Sequence, residues 1–221
     1  MNAPTSIRTT AELCSFLAGY DHFAVAIWDF DGVIGDTEPI QAATYRRMLS
    51  DRNVIAQDNF FDDLAGRSEP EIWSALQSRY GFQGDITALR EERVELVTPL
   101  LSAQIAPNWF VRSGLQFLRR AGTPSVIVSS GNQEVIDHYL STWHLGTFFD
   151  EVNATSSTRS DPPKRERLQK RLEGVHALLI EDSAEYIRFG SDLNATTIGV
   201  AHVVDEVPDI ADAFLKSGSE S

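Results

Sequence analysis

Four short apolar runs, AVAIWD (24–29), PSVIVSS (124–130), VHALLIED (175–182) and TTIGV (196–200), restrict the fold of this chain more than any other feature. Each reads as a buried strand. Amphipathic segments lie between three of them or just after. QEVIDHYLSTW follows the second run with Val135, Ile136, Tyr139, Leu140 and Trp143 on one helical face, and SAEYIRFGSDL follows the third. Strands that alternate with helices imply a parallel sheet covered on both faces, because parallel neighbours need crossover connections.

The first two runs are separated by far more chain than one crossover needs. Between them the pattern is helical: Pro39 falls in a helix's first turn, Ile72, Leu76 and Tyr80 recur four apart, and Leu89, Leu96 and Leu100 mark a third helix. RSGLQFLRRAG (112–122) then reads as the core helix leading into the second strand, with Gly122 placed to end it. The expected fold class is α/β. A Rossmann-like parallel-sheet core, residues 1–36 and 108–221, carries an inserted all-helical cap domain, residues 37–107, whose first helix Thr37 is expected to cap. A chain of 221 residues can bury the core this requires.

Charge narrows the partners. With 32 acids against 19 bases the net charge is −13, which repels nucleic acid and anionic membranes and favours cations or small molecules. Cys14 is the single cysteine, so no intramolecular disulfide forms. MNAPTSIRTTAELCSF lacks a basic start followed by an apolar run, and no apolar stretch reaches membrane-spanning length, so a cytoplasmic location is expected. The sequons at Asn153 and Asn194 read as chance matches.

Three of the runs end in reactive polar residues: Asp29 and Asp31, Ser129 and Ser130, Glu181 and Asp182. Ligands of open parallel sheets bind at the carboxyl ends of strands, so residues remote in the chain are expected to share one pocket. Carboxylates at this density repel by several kcal/mol at an effective dielectric of about 20. The pocket therefore needs a cation, and oxygen ligands favour a hard one such as Mg²⁺. Standing alone, the DxD pair reads equally as an Asx-capped turn, Ser129–Ser130 as a solvated strand end and Glu181–Asp182–Ser183 as a helix N-cap. Their coincidence at successive strand ends favours a site. A calcium loop starting at Asp29 fails, because Val33 occupies its fifth position, Ile34 stands where glycine belongs and no helix precedes it.

DFDGVIGDTEP (29–39), Ser129 at a strand end, Lys164 ahead of a strand and LLIEDS (178–183) together resemble the haloacid dehalogenase-like superfamily of phosphatases and phosphomutases. The resemblance is to the branch with a helical cap, covers residues from about 23 to 200, and includes the cap-loop segment LAGRSEPEIW. It implies that Asp29 is a nucleophile forming an aspartyl-phosphate. It also implies that Asp31, holding a proton at the outset, protonates the leaving alkoxide and later takes a proton from water. Mg²⁺ would be held by Asp29, the backbone carbonyl of Asp31 and Asp182, with Glu181 nearby or acting through water. Ser129 and Lys164 would hold the phosphoryl oxygens. Lys164 lies only 18 positions before Asp182, shorter than the family spacing, which leaves Arg159 as an alternative cation. Tyr186 stands where relatives often carry glycine.

The substrate's organic part is expected at Gly66, Arg67 and Ser68 of the cap loop, with Glu69 beside them; Ser130, Asn132 and Glu38 complete the expected contacts. Gly32 is expected to let the turn after the nucleophile form. Trp28 reads as core packing, and His22, His138, His144, His176 and His202 show no ligand spacing. Residues 37–107 contain no lysine or histidine. Phosphonate-cleaving relatives need a cap lysine, and sugar-phosphate mutases place a histidine where this chain has Gln41. Dehalogenases lack the acid at Asp31. The expectation is a Mg²⁺-dependent hydrolase of a small phosphorylated metabolite, such as a sugar phosphate, without nucleic-acid or membrane partners and compatible with a monomer. A mutase and a non-catalytic phospholigand-binding relative are the alternatives.

Overall fold

The computed structural model describes residues 10–20, 22–64, 66–156 and 161–200. Strands β1 (Val25–Trp28), β2 (Ser125–Asn132), β3 (Glu151–Thr155), β4 (Ala177–Glu181) and β5 (Thr196–Gly199) form a parallel sheet in the order β3-β2-β1-β4-β5. The three strands that carry the candidate groups are therefore neighbours, with β1 between β2 and β4. Trp28 pairs with Ile127 on one side and Ile180 on the other, so Asp29 emerges level with Val128 and Glu181.

Helices cover both faces, which is why β1 and β4 are apolar without alternation. Trp28, Phe30, Ile127 and Ile180 belong to one core, with Trp28 stacked on Phe110 at 6.4 Å between ring centroids. Ile27, Val126, Val128 and Leu179 face the other way, against Leu168 and Leu172. Trp28 thus packs in the core as expected.

The expected strands are present, and strand β3 and an N-terminal helix are among the additional elements. Strand β3, EVNAT, is an edge strand with an exposed start, so it needs no apolar run. Helix α1 (Thr10–Ala18) lies in the N-terminal stretch, to which the sequence assigned no element, and buries Leu13 and Leu17. Helix α5 (Val111–Arg120) ends where expected, with Gly122 in the left-handed conformation at φ 72°.

Between β1 and α5 run α2 (Glu38–Ser50), α3 (Glu69–Tyr80) and α4 (Ile86–Gln104). They enclose an apolar cluster of their own, centred on Tyr45, Leu49, Trp73 and Leu76. Helix α3 starts with a capping box in which the Ser68 backbone amide and hydroxyl both donate to Glu71, and it ends at Gly81 with φ 70°. Thr37 occupies the N-cap position of α2 but corrects the expectation: its hydroxyl makes no cap bond and donates instead to Asp31. No helix among the described residues is long and apolar enough to cross a membrane.

Candidate active site

Beyond the carboxyl ends of β1, β2 and β4 lies a cavity of about 620 Å³. The chain enters it from β1 through a tight turn: Gly32 at φ 76° and a Gly32 amide to Gly35 carbonyl bond of 2.9 Å fold the backbone so that Asp29 and Asp31 both line the cavity. The Asp29 backbone amide donates to the Ile180 carbonyl at 3.0 Å, anchoring the turn to β4.

Asp29 is buried, with one carboxylate oxygen accepting from the Phe30 amide at 2.7 Å and the other 2.7 Å from Lys164 Nζ. Lys164, the first residue of α7 (Lys164–Leu172), also donates to Glu181 and lies 4.5 Å from the centre of the Tyr186 ring. Its short distance in sequence from Asp182 is spanned by a helix of only nine residues, which sets the Lys164 ammonium between Asp29 and Glu181. Arg159 lies outside the described residues. Tyr186, the residue noted above as a departure from relatives, lies in α8 (Ala184–Asp192) and gives the lysine an aromatic face.

Glu181 is fully buried and is absent from the cavity wall. One oxygen accepts from Lys164, and the other accepts from the Asp182 and Ser183 amides at 3.1 and 3.0 Å. Its geometry is that of a residue that holds the lysine. Asp182 itself lines the cavity.

The electrostatics call for another cation. Burial, reinforced by repulsion from Glu181, pushes the Asp29 pKa well above the usual carboxylate range despite Lys164. Burial likewise raises Glu181, while Lys164 opposes it. Burial works against a charged Lys164, but Asp29 and Glu181 outweigh it and raise its pKa. Carboxylate oxygens of Asp29, Glu181 and Asp182 lie within 4.8 Å of one another, an oxygen-only donor set that fits a hard divalent ion.

Across the cavity floor, Ser129 is buried and its Oγ accepts from the Gly131 amide at 2.9 Å. A Cβ on Gly131 would stand 3.2 Å from Ser129 Oγ and 3.3 Å from Asp31 Oδ2, which shows how closely these two groups converge. Asn132 caps α6 (Gln133–Thr142) by accepting from the Glu134 amide at 2.9 Å. Its Nδ2 is buried without a partner, at a cost of about 1–3 kcal/mol that an anionic ligand would remove. Ser130 also lines the cavity.

The expected cap residues Gly66, Arg67, Ser68 and Glu69, together with Glu38, reach the same cavity. Arg67 is exposed. The Ser68 hydroxyl is engaged by Glu71, and the Glu69 carboxylate is held by Arg90 and Arg93, so neither presents a free side chain to a ligand.

Several lining residues were not anticipated: Gln41, Tyr45, Arg93, Thr155 and Arg167. Arg167 donates to the Ser129 carbonyl at 2.8 Å and fixes the end of β2. Arg93 had a readable signal, since it falls in register with Leu89 and Val97 on the buried face of α4, where an arginine needs a reason to be.

The chain matches the model of the haloacid dehalogenase-like hydrolase family over residues 26–200. Curated protein sequences give no significant match. Among solved structures it is similar to CbbY from Rhodobacter sphaeroides in complex with phosphate (14% identity, 85% of this chain and 92% of that one, TM-score 0.66). It is also similar to β-phosphoglucomutase from Clostridium difficile (18% identity, 89% and 99%, TM-score 0.64). A third is YfnB from Bacillus subtilis bound to magnesium (17% identity, 85% and 93%, TM-score 0.60). At these identities the structures speak for the fold, and the family model, spanning most of the chain from β1 through β5, establishes membership: the chain belongs to the haloacid dehalogenase-like hydrolases.

Proposed function

We propose that this protein is a Mg²⁺-dependent phosphatase of a small phosphomonoester, with residues 37–107 acting as its cap domain. The observation that carries the reading is the convergence of Asp29, Asp31, Ser129, Lys164 and Asp182 on one cavity at the ends of three adjacent strands. Asp29 attacks phosphorus, the bond from phosphorus to the leaving oxygen breaks, and Asp31 gives its proton to the departing alkoxide. Asp31, now a carboxylate, takes a proton from the water that attacks the aspartyl-phosphate, which frees phosphate and restores Asp29. Lys164 and Ser129 meet the phosphoryl oxygens, and the unpartnered Asn132 amide offers a further donor.

Asp29, Asp182 and the Asp31 carbonyl would hold Mg²⁺, and Glu181 supports them by holding Lys164. When bound, the ion ionises Asp29 and neutralises charge on the phosphoryl oxygens. The phosphate bound to CbbY and the magnesium bound to YfnB support the choice of ligand and ion. Hydrolysis is favoured over mutase chemistry because Gln41, at the mutase histidine position, cannot carry a proton, and residues 37–107 supply no lysine. The test is phosphate release from 4-nitrophenyl phosphate with Mg²⁺, expected to vanish in EDTA and in Asp29→Asn. Release that survives Asp29→Asn would end this reading, and conversion of a sugar 1-phosphate to its 6-phosphate without free phosphate would favour a mutase.

A further inference from the structure

Asp31 is held from the cap side by a chain of polar groups that runs from the half-buried Gln41 to the buried Arg93 and Glu69. Its Oδ1 accepts from the Thr37 hydroxyl and from Gln41 Nε2 at 3.0 Å. The other face of the Gln41 amide, Oε1, accepts from Arg93 Nη2. Arg93 is 5% exposed, stands over the Tyr45 ring at 4.1 Å and donates to Glu69 at 3.0 Å. Glu69 is shared with Arg90, whose Nη2 reaches the Ser156 carbonyl, just past β3, at 2.5 Å.

The chemistry of this chain is directional. A carboxamide has a donor end and an acceptor end and can present either to Asp31. A guanidinium has donors only, so Arg93 admits one orientation of Gln41: oxygen toward α4, amino group toward Asp31. If the amide turned over, its oxygen would confront the carboxylate oxygen that it now supports. With Oδ1 occupied, Oδ2 is left on the side of Gly131 and Ser129, within the cavity that all three residues line.

We infer that Arg93 is a positioning residue, which locks Gln41 so that Asp31 keeps one oxygen anchored and the other aimed at the leaving group. This rests on the phosphatase reading and adds a residue of the cap helix α4 to the control of proton delivery. The observable consequence is selectivity for the leaving group. A nitrophenolate departs without a proton, whereas an alkoxide must receive one, and kcat/KM reports the steps through that departure.

The experiment measures kcat/KM for benzyl phosphate and 4-nitrophenyl phosphate with Mg²⁺. Arg93→Met is expected to lose at least about tenfold more on benzyl phosphate than on 4-nitrophenyl phosphate, a part of the roughly 10²–10⁴-fold that positioned proton transfer contributes. Gln41→Leu should show the same bias, and Arg93→Met should add no further bias in the Gln41→Leu background, because both changes act through one hydrogen-bonded chain. Arg93→Lys, which still donates, should return the bias to within about threefold of wild type. Equal losses on the two substrates, or a purely raised KM, would overturn the assignment and make Arg93 a substrate contact or a structural residue. A wild-type protein that turns over neither substrate would overturn the phosphatase reading and this assignment together.

Discussion

Removing the Lys164 ammonium should cost the folded protein heavily in a way that pH repairs. In Lys164→Met, the buried Asp29 and Glu181 carboxylates, with oxygens no more than 4.8 Å apart, lose the cation between them. At an effective dielectric of about 20, a full charge on each repels by at least about 3.5 kcal/mol. Loss of one partner from buried ion pairs costs about 3–5 kcal/mol by experience, so the two routes to the magnitude agree. Both carboxylates already have raised pKa values in the folded state. A raised folded pKa means that the native state binds more protons than the unfolded chain, so stability falls as pH rises toward the folded pKa and recovers on acidification. The variant's deficit should thus shrink between pH 7 and pH 5, and adding Glu181→Gln should restore much of it at pH 7. Urea unfolding in EDTA, followed by tryptophan fluorescence, measures this, with Trp28 reporting on the sheet core and Trp73 on the cluster of α2 to α4. A deficit below about 1 kcal/mol, or one that does not change with pH, would refute the claim that the lysine neutralises a buried acid pair.

Asp182→Asn keeps the shape of the metal wall but removes a charge, and should raise the Mg²⁺ concentration for half-maximal phosphate release about tenfold or more while leaving the fold intact; an unchanged Mg²⁺ titration would remove Asp182 from the ligand set. Gly190→Ala would drive a Cβ to 2.5 Å from Leu179 Cδ2, and is expected to cost about 1–3 kcal/mol by overpacking the contact between α8 and β4. An unchanged urea midpoint would mean that Leu179 moves aside freely. Trp73→Ala should cost about 3–5 kcal/mol, since the ring is fully buried at the centre of the cap cluster. Far-UV circular dichroism through a urea titration decides it, and a loss under about 1 kcal/mol would contradict a packed cap core.

The apolar runs and their polar ends were legible because they are local. A strand buried on both faces must be apolar along its length, and a charge cluster at its carboxyl end stands out against that run. The helical insertion was legible for the same reason, from Ile72, Leu76 and Tyr80 spaced at a helical period. Strand β3 was not, because an edge strand that faces solvent carries no apolar signature. Thr37 was read as a helix cap because position in sequence shows proximity to a helix start, whereas the direction of its hydroxyl depends on where Asp31 lies in space.

By itself, then, the amino-acid order determined the chemical types available: paired acids and a serine at strand ends, a lysine ahead of a strand, and an insertion without lysine or histidine. Tertiary structure alone decided who faces whom. It made β2, β1 and β4 neighbours, turned Glu181 inward to Lys164, seated Lys164 across a short helix, and brought Arg93 through Gln41 to Asp31. The physical reason is that hydrophobic periodicity records burial along one dimension, while hydrogen bonds and ion pairs depend on distances of about 3 Å between groups that the chain order leaves unrelated.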